Sequence, residues 1–156
     1  MTIHNFSDSN KVGKEGERQI AEYLSSKGYK IIPANLYQQL NENWDIRIER
    51  GDIVKLLEIK TEPKAEETGN FFWEMTVDTE SGWTQNYKSN PLDITIVWFL
   101  PTSKIAYAIN SNKLPALTEI IRATFPERTV HNTRFSATGF LVPVNFLASK
   151  AQVINL

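Results

Sequence analysis

Residues 44–60, WDIRIERGDIVKLLEIK, contain two apolar segments on either side of a Gly-Asp pair, and this stretch decides the fold. Apolar and polar residues alternate from Trp44 to Glu49, which is typical of a half-buried strand. Arg50, Gly51 and Asp52 predict a turn, and residues 53–60 predict a second strand. The stretch therefore predicts a β-hairpin.

The length of the turn fixes which residues of the hairpin face each other. A two-residue loop at Gly51 and Asp52 places Asp45 opposite Glu58, and opposed residues on one face have Cβ atoms about 4.5–5.5 Å apart. Lys60 points to the same face, because side chains alternate along a strand. The other face is expected to be buried, because it gathers Trp44, Ile46, Ile48, Ile53, Leu57 and Ile59.

Two carboxylates and a lysine in this arrangement suit phosphodiester hydrolysis. Asp45 and Glu58 could share one hard divalent cation, Mg²⁺ or Mn²⁺, through oxygen ligands. A bound cation acidifies a water molecule and offsets charge on the phosphate. A lysine such as Lys60 can orient or deprotonate that water. The alternative is a solvated strand end with a Lys–Glu pair, which is the ordinary interpretation of an isolated Glu-x-Lys.

A helix before the hairpin carries a third acidic residue of interest. Residues 7–10 offer several N-caps, and Gly28 is typical of a helix end. At about 100° per residue, Glu17 falls between Ile20 and Leu24 at the centre of the apolar stripe. An inward glutamate is costly without a partner, so a metal or a basic residue is one interpretation. The other is a first-turn acid stabilised by the helix dipole.

These residues resemble the PD-(D/E)xK nuclease superfamily of restriction enzymes, archaeal Holliday-junction resolvases and phage exonucleases. The resemblance covers residues 11–99 and is closest to the resolvases and small phage-type endonucleases. Its motifs are GKEGER at 13–18, WDI at 44–46, LEIK at 57–60, TGNFFWE at 68–74 and SGW at 81–83. Trp44 stands where the superfamily carries proline, and the Gln-x-x-x-Tyr motif of the recombination-exonuclease branch is not reproduced.

The resemblance implies a fold and a role for particular residues. The implied fold is α/β and restriction-endonuclease-like, with a central mixed β-sheet flanked by α-helices. Asp45 and Glu58 would bind Mg²⁺ or Mn²⁺ together with the carbonyl of Ile59. Lys60 would be the catalytic lysine, and Glu17 would be the helix-borne acid of many members. The implied substrate is DNA.

Further elements are expected around the hairpin. Strands are predicted at residues 29–32, 71–77, 93–100 and 104–109. A helix is predicted from a cap at Asn110-Ser111-Asn112 to about Thr124. The apolar pieces at 140–142 and 144–147 receive no assignment. The order of elements predicts one mixed sheet with a helix on each side, in a single domain spanning residues 1–156.

Several polar residues outside the hairpin could serve the same site. Glu74 could be an accessory acid, although an exposed strand glutamate is equally ordinary. Ser81 could be a phosphate contact, although a polar loop without function is somewhat more common. The residues that could contact a DNA backbone are Lys11, Lys14, Arg18 and Lys88. A solvated helix end explains the first three of these without any ligand.

Composition limits the classes of function. The chain has no cysteine, which excludes disulfides and thiolate metal sites and fits a cytoplasmic protein. No apolar run approaches the roughly 20 residues of a membrane helix, and no Gly-rich loop for a nucleotide cofactor is present.

Charge is unevenly distributed along the chain. Residues 42–67 carry eight acidic and five basic residues, whereas residues 104–156 carry six basic and two acidic. That distribution suits a cation site beside a polyanion groove, although an ordinary mixed surface is as common.

The sequence thus predicts a small metal-dependent DNA endonuclease. A formal net charge of −1 gives a monomer a weak grip on duplex DNA, so a homodimer with two sites is expected. Two alternatives stay open at this point. One is a catalytically inactive module on the same fold that binds nucleic acid or protein. The other is a small sequence-specific restriction enzyme, which should carry a larger recognition insertion.

Overall fold

The structure is a computed structural model that describes residues 6–77, 80–81, 92–131 and 136–156. Four α-helices lie in these ranges: α1 (Phe6–Ser26), α2 (Pro63–Thr68), α3 (Leu114–Thr124) and α4 (Val144–Lys150). The strands are β1 (Lys30–Pro33), β2 (Ile46–Arg50), β3 (Ile53–Thr61), β4 (Asn70–Val77), β5 (Glu80–Ser81), β6 (Ile94–Leu100), β7 (Ile105–Asn110), β8 (Glu127–His131), β9 (Ser136–Pro143) and β10 (Gln152–Asn155). A short π-helix (Gln38–Glu42) precedes β2, and a 3₁₀ turn (Ser111–Lys113) precedes α3.

The central sheet has six strands in the order β1-β2-β3-β6-β7-β10. Strands β3 and β6 pair in parallel, and the other neighbours pair antiparallel. A central mixed sheet flanked by helices confirms the predicted fold class and is consistent with a restriction-endonuclease-like fold.

The hairpin of β2 and β3 has the predicted register. Arg50 pairs with Ile53 beside the turn, and Ile46 pairs with Leu57 at the other end. Gly51 has a φ of 59°, a left-handed conformation that glycine adopts without the penalty paid by other residues. A two-residue loop is thereby confirmed, and with it the pairing on which the site depends.

Two apolar cores lie on opposite faces of the central sheet. On one face α1 contributes Ile20, which packs against Ile46, Leu57 and other buried residues of the sheet. On the other face lies a second sheet of four strands, in the order β5-β4-β9-β8. There the rings of Trp73 and Trp98 stack with centroids 5.7 Å apart. Burying each large side chain contributes about 1.5–3 kcal/mol, so both cores hold the central sheet in place.

The second sheet was not predicted. Strand β4 agrees with the strand expected at 71–77, but it pairs with β9 rather than joining the central sheet. The unassigned pieces at 140–142 and 144–147 belong to β9 and α4. An alternating pattern reveals a strand and its buried face, but it does not reveal which strand lies alongside.

Three expectations about individual residues were wrong. Residues 7–10 are not N-caps, because α1 already begins at Phe6. Ile53 is 41% exposed, because it lies at the hairpin turn outside the core that α1 covers. Trp44 is buried but packs in the core of Trp73 rather than with Ile46, since it precedes the first regular residue of β2.

Other predicted ends agree with the structure. Helix α1 closes with Gly28 at a φ of 91°, and the Gly28 N–H donates to the carbonyl of Ser25 at 3.0 Å. Asn110 accepts a hydrogen bond from the Asn112 N–H at 2.9 Å, as expected of the predicted cap. None of the helices in the described ranges is long and apolar enough to cross a membrane.

Candidate active site

Asp45 lies immediately before β2 and beside the neighbouring strand β3. Its N–H donates to the carbonyl of Leu57 at 2.7 Å, and its carboxylate Oδ2 accepts from the N–H of Ile59 at 2.7 Å. These two bonds flank Glu58 along β3, so Asp45 lies next to Glu58 as the predicted register requires.

Glu58 and Lys60 lie on one side of β3. Lys60 Nζ is 3.5 Å from Glu58 Oε1, and the two side chains are only 18% and 21% exposed. The positive charge of Lys60 also reaches Asp45, whose pKa it lowers. The structure therefore brings together the three residues that the sequence singled out.

The two carboxylates oppose each other's ionisation. Burial raises the pKa of Glu58 to about 7, with Lys60 lowering it and the charge of Asp45 raising it. Burial also raises the pKa of Asp45, against the lowering effects of the Ile59 N–H, of Lys60 and of a hydrogen bond with Glu58. Without a cation, the pair therefore holds a proton near neutral pH.

Helix α1 brings Glu17 to the same place. Burial and the charge of Asp45 together raise the pKa of Glu17 to about 7, against the lowering effect of Lys14. Glu17 in turn raises the pKa of Glu58. Because α1 begins at Phe6, Glu17 lies in the middle of the helix, so the first-turn interpretation does not apply.

The donor set fits a hard divalent cation. The raised pKa values mean that the ionised carboxylates are unfavourable in this site. A bound cation would stabilise these charged forms. The carbonyl of Ile59 points to the same side as its N–H, which is the side of Asp45. Within residues 6–77, 80–81, 92–131 and 136–156, no three acidic or histidine side chains are arranged to hold a metal by themselves. Asp45, Glu58 and the Ile59 carbonyl would therefore be completed by water, as is usual for Mg²⁺.

Gly16 determines how closely α1 approaches β3. A Cβ atom at this position would lie 2.9 Å from the Cβ of Thr61 and closer still to its Oγ1. The Thr61 hydroxyl is buried there, and it has no hydrogen-bond partner among the described residues. The close approach at Gly16 places the next residue, Glu17, against the end of β3. In the sequence Gly16 is only one position of the GKEGER motif, and its contact with Thr61 could not be predicted from that motif.

Glu62 is a further acid near the site that sequence reasoning missed. Burial raises its pKa, and the charge of Lys60 lowers it. The Glu62 N–H donates to the carbonyl of Phe99 at 2.8 Å, which extends the parallel pairing beyond β3. The signal available in the sequence was the alternation Glu-x-Lys-x-Glu, which puts a third polar residue on the face of Glu58.

The accessory roles of Glu74 and Ser81 remain predictions. Glu74 is half-buried between two core residues of β4, Trp73 and Met75. Ser81 lies in β5, paired with Thr76.

The basic residues proposed to contact DNA have different surroundings. Arg18 forms ion pairs with Glu15 and Glu22 of its own helix, so its charge is already compensated. Lys11 and Lys14 are exposed, and Lys14 is close enough to lower the pKa of Glu17. Lys88 lies outside the described residues. A role in DNA binding therefore stays a prediction for all four.

Part of this chain is similar in sequence to a known protein. A UPF0102 protein of Alkaliphilus metalliredigens (strain QYMF) is 42% identical over 53 residues, which are 34% of this chain and 46% of that protein. UPF0102 is a family of the restriction-endonuclease-like superfamily. The match supports that superfamily. It does not distinguish among its branches, and the chain spans less than half of the relative. No family model and no solved structure matches the chain.

The raised pKa of Glu58 predicts how stability depends on pH. Its folded-state value of about 7 exceeds its usual 4.5, so the folded protein keeps a proton that the unfolded chain releases. The metal-free protein should lose stability as pH rises from about 4.5 to about 7. Glu58→Gln cannot ionise, so its melting temperature at pH 8 in EDTA should exceed that of the wild type by about 6–12 °C, for roughly 3 kcal/mol.

Circular dichroism melts between pH 5 and pH 8 test this expectation. The advantage of Glu58→Gln should shrink toward pH 5, where the wild-type carboxyl is protonated. Glu67→Gln, at an exposed position in α2, is the matched control and should follow the wild type. A Glu58→Gln variant less stable than the wild type at pH 8 would contradict the proposed cost of burying the ionised carboxylate.

Proposed function

We propose that this chain is a metal-dependent DNA endonuclease whose reaction takes place at Asp45, Glu58 and Lys60. The observation that carries the proposal is the convergence of two half-buried carboxylates from adjacent strands with a lysine 3.5 Å from one of them. The partial match to a UPF0102 protein supports a nuclease-like family. Two acids and a lysine at the end of one strand pair have a direct use in phosphodiester hydrolysis.

Each residue has a part in the proposed reaction. Asp45, Glu58 and the Ile59 carbonyl would hold Mg²⁺ or Mn²⁺, which when bound supplies an acidified water and neutralises phosphate charge. Lys60 Nζ donates to a phosphate oxygen and stabilises the charge that develops during attack. Glu17 would act as the general base and take a proton from the oxygen of the attacking water, since a general base works best when its pKa is close to the working pH.

An apolar surface beside the site favours a substrate with accessible bases. Leu36, Tyr37 and Leu40 are 69%, 68% and 69% exposed, more than any other large hydrophobic residue in the described ranges. Their segment leads into the site, because the Ala34 N–H donates to the carbonyl of Asp45 at 2.8 Å. Apolar and aromatic side chains contact unpaired or unstacked bases. We therefore propose branched or single-stranded DNA as the preferred substrate.

Cleavage of a panel of labelled substrates tests this proposal. The panel contains duplex, single-stranded and four-way-junction DNA and one RNA, each with Mg²⁺, Mn²⁺ or EDTA. Internal cutting should require the metal and should be faster on the single strand or junction than on the duplex. Asp45→Asn keeps the side-chain shape and removes the charge, so it should abolish cutting.

The other outcomes identify the alternatives. Cutting that survives in Asp45→Asn would indicate a contaminating nuclease or a different site. No cutting together with no Mn²⁺ binding would favour the inactive binding module. Cutting of a plasmid at discrete sequences would favour a restriction enzyme. Light scattering of the same sample tests whether the exposed segment instead joins two copies in a homodimer.

A further inference from the structure

A second candidate site lies at the opposite end of the central sheet. A cavity of about 360 Å³ opens between the first residues of β3 and β6, the last residues of β7 and the start of β10. Lys55, near the start of β3, lines this cavity, whereas Lys60, near the end of β3, belongs to the candidate active site. These two lysines are five positions apart along β3, a distance of about 16 Å, so the cavity is distinct from the nuclease site.

The cavity is basic. Lys55 from β3, Lys113 from the turn before α3 and Lys150 from the end of α4 all line it. Asp93 is the one acid among its described lining residues, and its Oδ1 accepts from Asn110 Nδ2 at 2.6 Å. None of the three lysines forms an ion pair within the described part of the chain. The lining therefore has an excess of two positive charges.

An apolar cavity of about 270 Å³ adjoins the basic one. The two share four lining residues: Lys55, Thr95, Ala108 and Gln152. The second cavity lies under the last turns of α1 and has an apolar floor that includes Leu57, Val97 and Ile154. Tyr23 and Tyr29 also line it, and two of its three cations lie over these rings, with Lys27 Nζ 5.4 Å from the Tyr23 centroid and Arg50 Cζ 4.2 Å from the Tyr29 centroid. The third cation is the shared Lys55. A ligand with an anionic end and a less polar organic end could occupy both.

We propose that these adjoining cavities bind a phosphate monoester that carries a nucleoside, as in a nucleoside monophosphate or a 5′-phosphorylated DNA end. A phosphate monoester carries a charge of about −1.5 to −2 at pH 7, which matches the excess of two positive charges in the lining of the basic cavity. Lysine binds phosphate as a point charge and needs no Gly-rich loop. The basic cavity holds the phosphate, and the apolar cavity holds the nucleoside. Together they have the size of a small-molecule site, about 300–1,000 Å³.

Calorimetric titration of the full chain in EDTA tests the proposal without relying on nuclease activity. The probes are thymidine monophosphate, thymidine and inorganic phosphate. Thymidine monophosphate should bind on the order of tenfold or more tightly than either fragment, since each fragment fills one cavity. Oligonucleotides of one sequence with a 5′-phosphate or a 5′-hydroxyl form the second arm, which distinguishes a DNA end from a free nucleotide.

Charge-removing variants locate the site. The double variant Lys113→Gln and Lys150→Gln should weaken binding of the phosphorylated probe by on the order of tenfold. The matched double variant Lys30→Gln and Lys64→Gln removes two exposed lysines away from the cavity and should leave binding unchanged. Melting curves check that all variants are folded.

Three results would overturn the proposal: no binding of any phosphorylated probe, equal binding of thymidine and thymidine monophosphate, or full binding by the cavity variant. Binding of the 5′-phosphorylated oligonucleotide alone would assign the site to DNA ends.

Discussion

Replacing Lys60 with alanine is expected to slow DNA cleavage by on the order of a thousandfold at pH 8 while changing Mn²⁺ affinity by less than about tenfold. The Lys60 ammonium lies 3.5 Å from the Glu58 carboxylate in a half-buried site, where its charge is poorly screened by water. Its removal leaves the proposed metal ligands Asp45 and Glu58 in place, so the effect should fall on the rate and not on metal binding. Single-turnover cleavage and calorimetric Mn²⁺ titration measure the two quantities.

Two controls sharpen this prediction. Lys64→Ala removes an exposed lysine four residues away in α2, and its cleavage rate should match the wild type. Lys60→Arg keeps the positive charge on a larger, planar group and should recover only part of the lost rate. Wild-type cutting by Lys60→Ala would exclude the lysine from the reaction. Joint loss of cutting and Mn²⁺ binding would mean that Lys60 serves to hold the carboxylates in place.

The geometry around Asp45 was predictable from sequence because a hairpin has few degrees of freedom. Side chains alternate with a period of two, and a two-residue turn fixes every pairing along both strands. Asp45 and Glu58 therefore had to be neighbours once Gly51 and Asp52 formed the loop. The helical period likewise turned Glu17 inward, because Ile20 and Leu24 had to face the core.

Features set by contacts between distant segments were not predictable in this way. Trp44 is in phase with Ile46 in the sequence, yet it packs in the opposite core because the regular strand begins only at Ile46. The pairing of β4 with β9 joins residues about 70 positions apart. Neither segment has a local sequence pattern that indicates which strand it pairs with. The two adjoining cavities also depend on residues from distant elements, which no local pattern brings together.

The contact between Gly16 and Thr61 gives the second large prediction. Replacing a glycine inside a helix with alanine ordinarily stabilises a protein by about 0.5–1 kcal/mol. At Gly13 no atom lies within 4 Å of the added Cβ, so Gly13→Ala should show that gain. At Gly16 the added Cβ would lie 2.9 Å from Thr61 Cβ, so α1 must move away from β3. Gly16→Ala should lower the free energy of unfolding by about 1–3 kcal/mol.

The same displacement should reach the site, because Glu17 is the next residue of α1. Urea denaturation measures the change in stability, and cleavage assays on the folded protein should show a rate reduced by on the order of tenfold or more. Gly13→Ala, on the same helix, should cleave at the wild-type rate. If Gly16→Ala is as stable and as active as Gly13→Ala, the close approach of helix and strand does not position Glu17.

A second substitution distinguishes steric conflict from a general effect on the helix. Thr61→Ala removes Oγ1 and Cγ2. Because the buried hydroxyl has no hydrogen-bond partner in the described part of the chain, no hydrogen bond is lost with it. Combined with Gly16→Ala it should restore part of the lost stability. Restoration should be incomplete, since the Cβ of residue 61 remains 2.9 Å from the added methyl group. A favourable coupling of about 0.5–3 kcal/mol between the two changes would locate the conflict at this contact. Strict additivity would instead mean that Gly16→Ala acts elsewhere, and Glu17 would then owe its place in the site to the rest of α1.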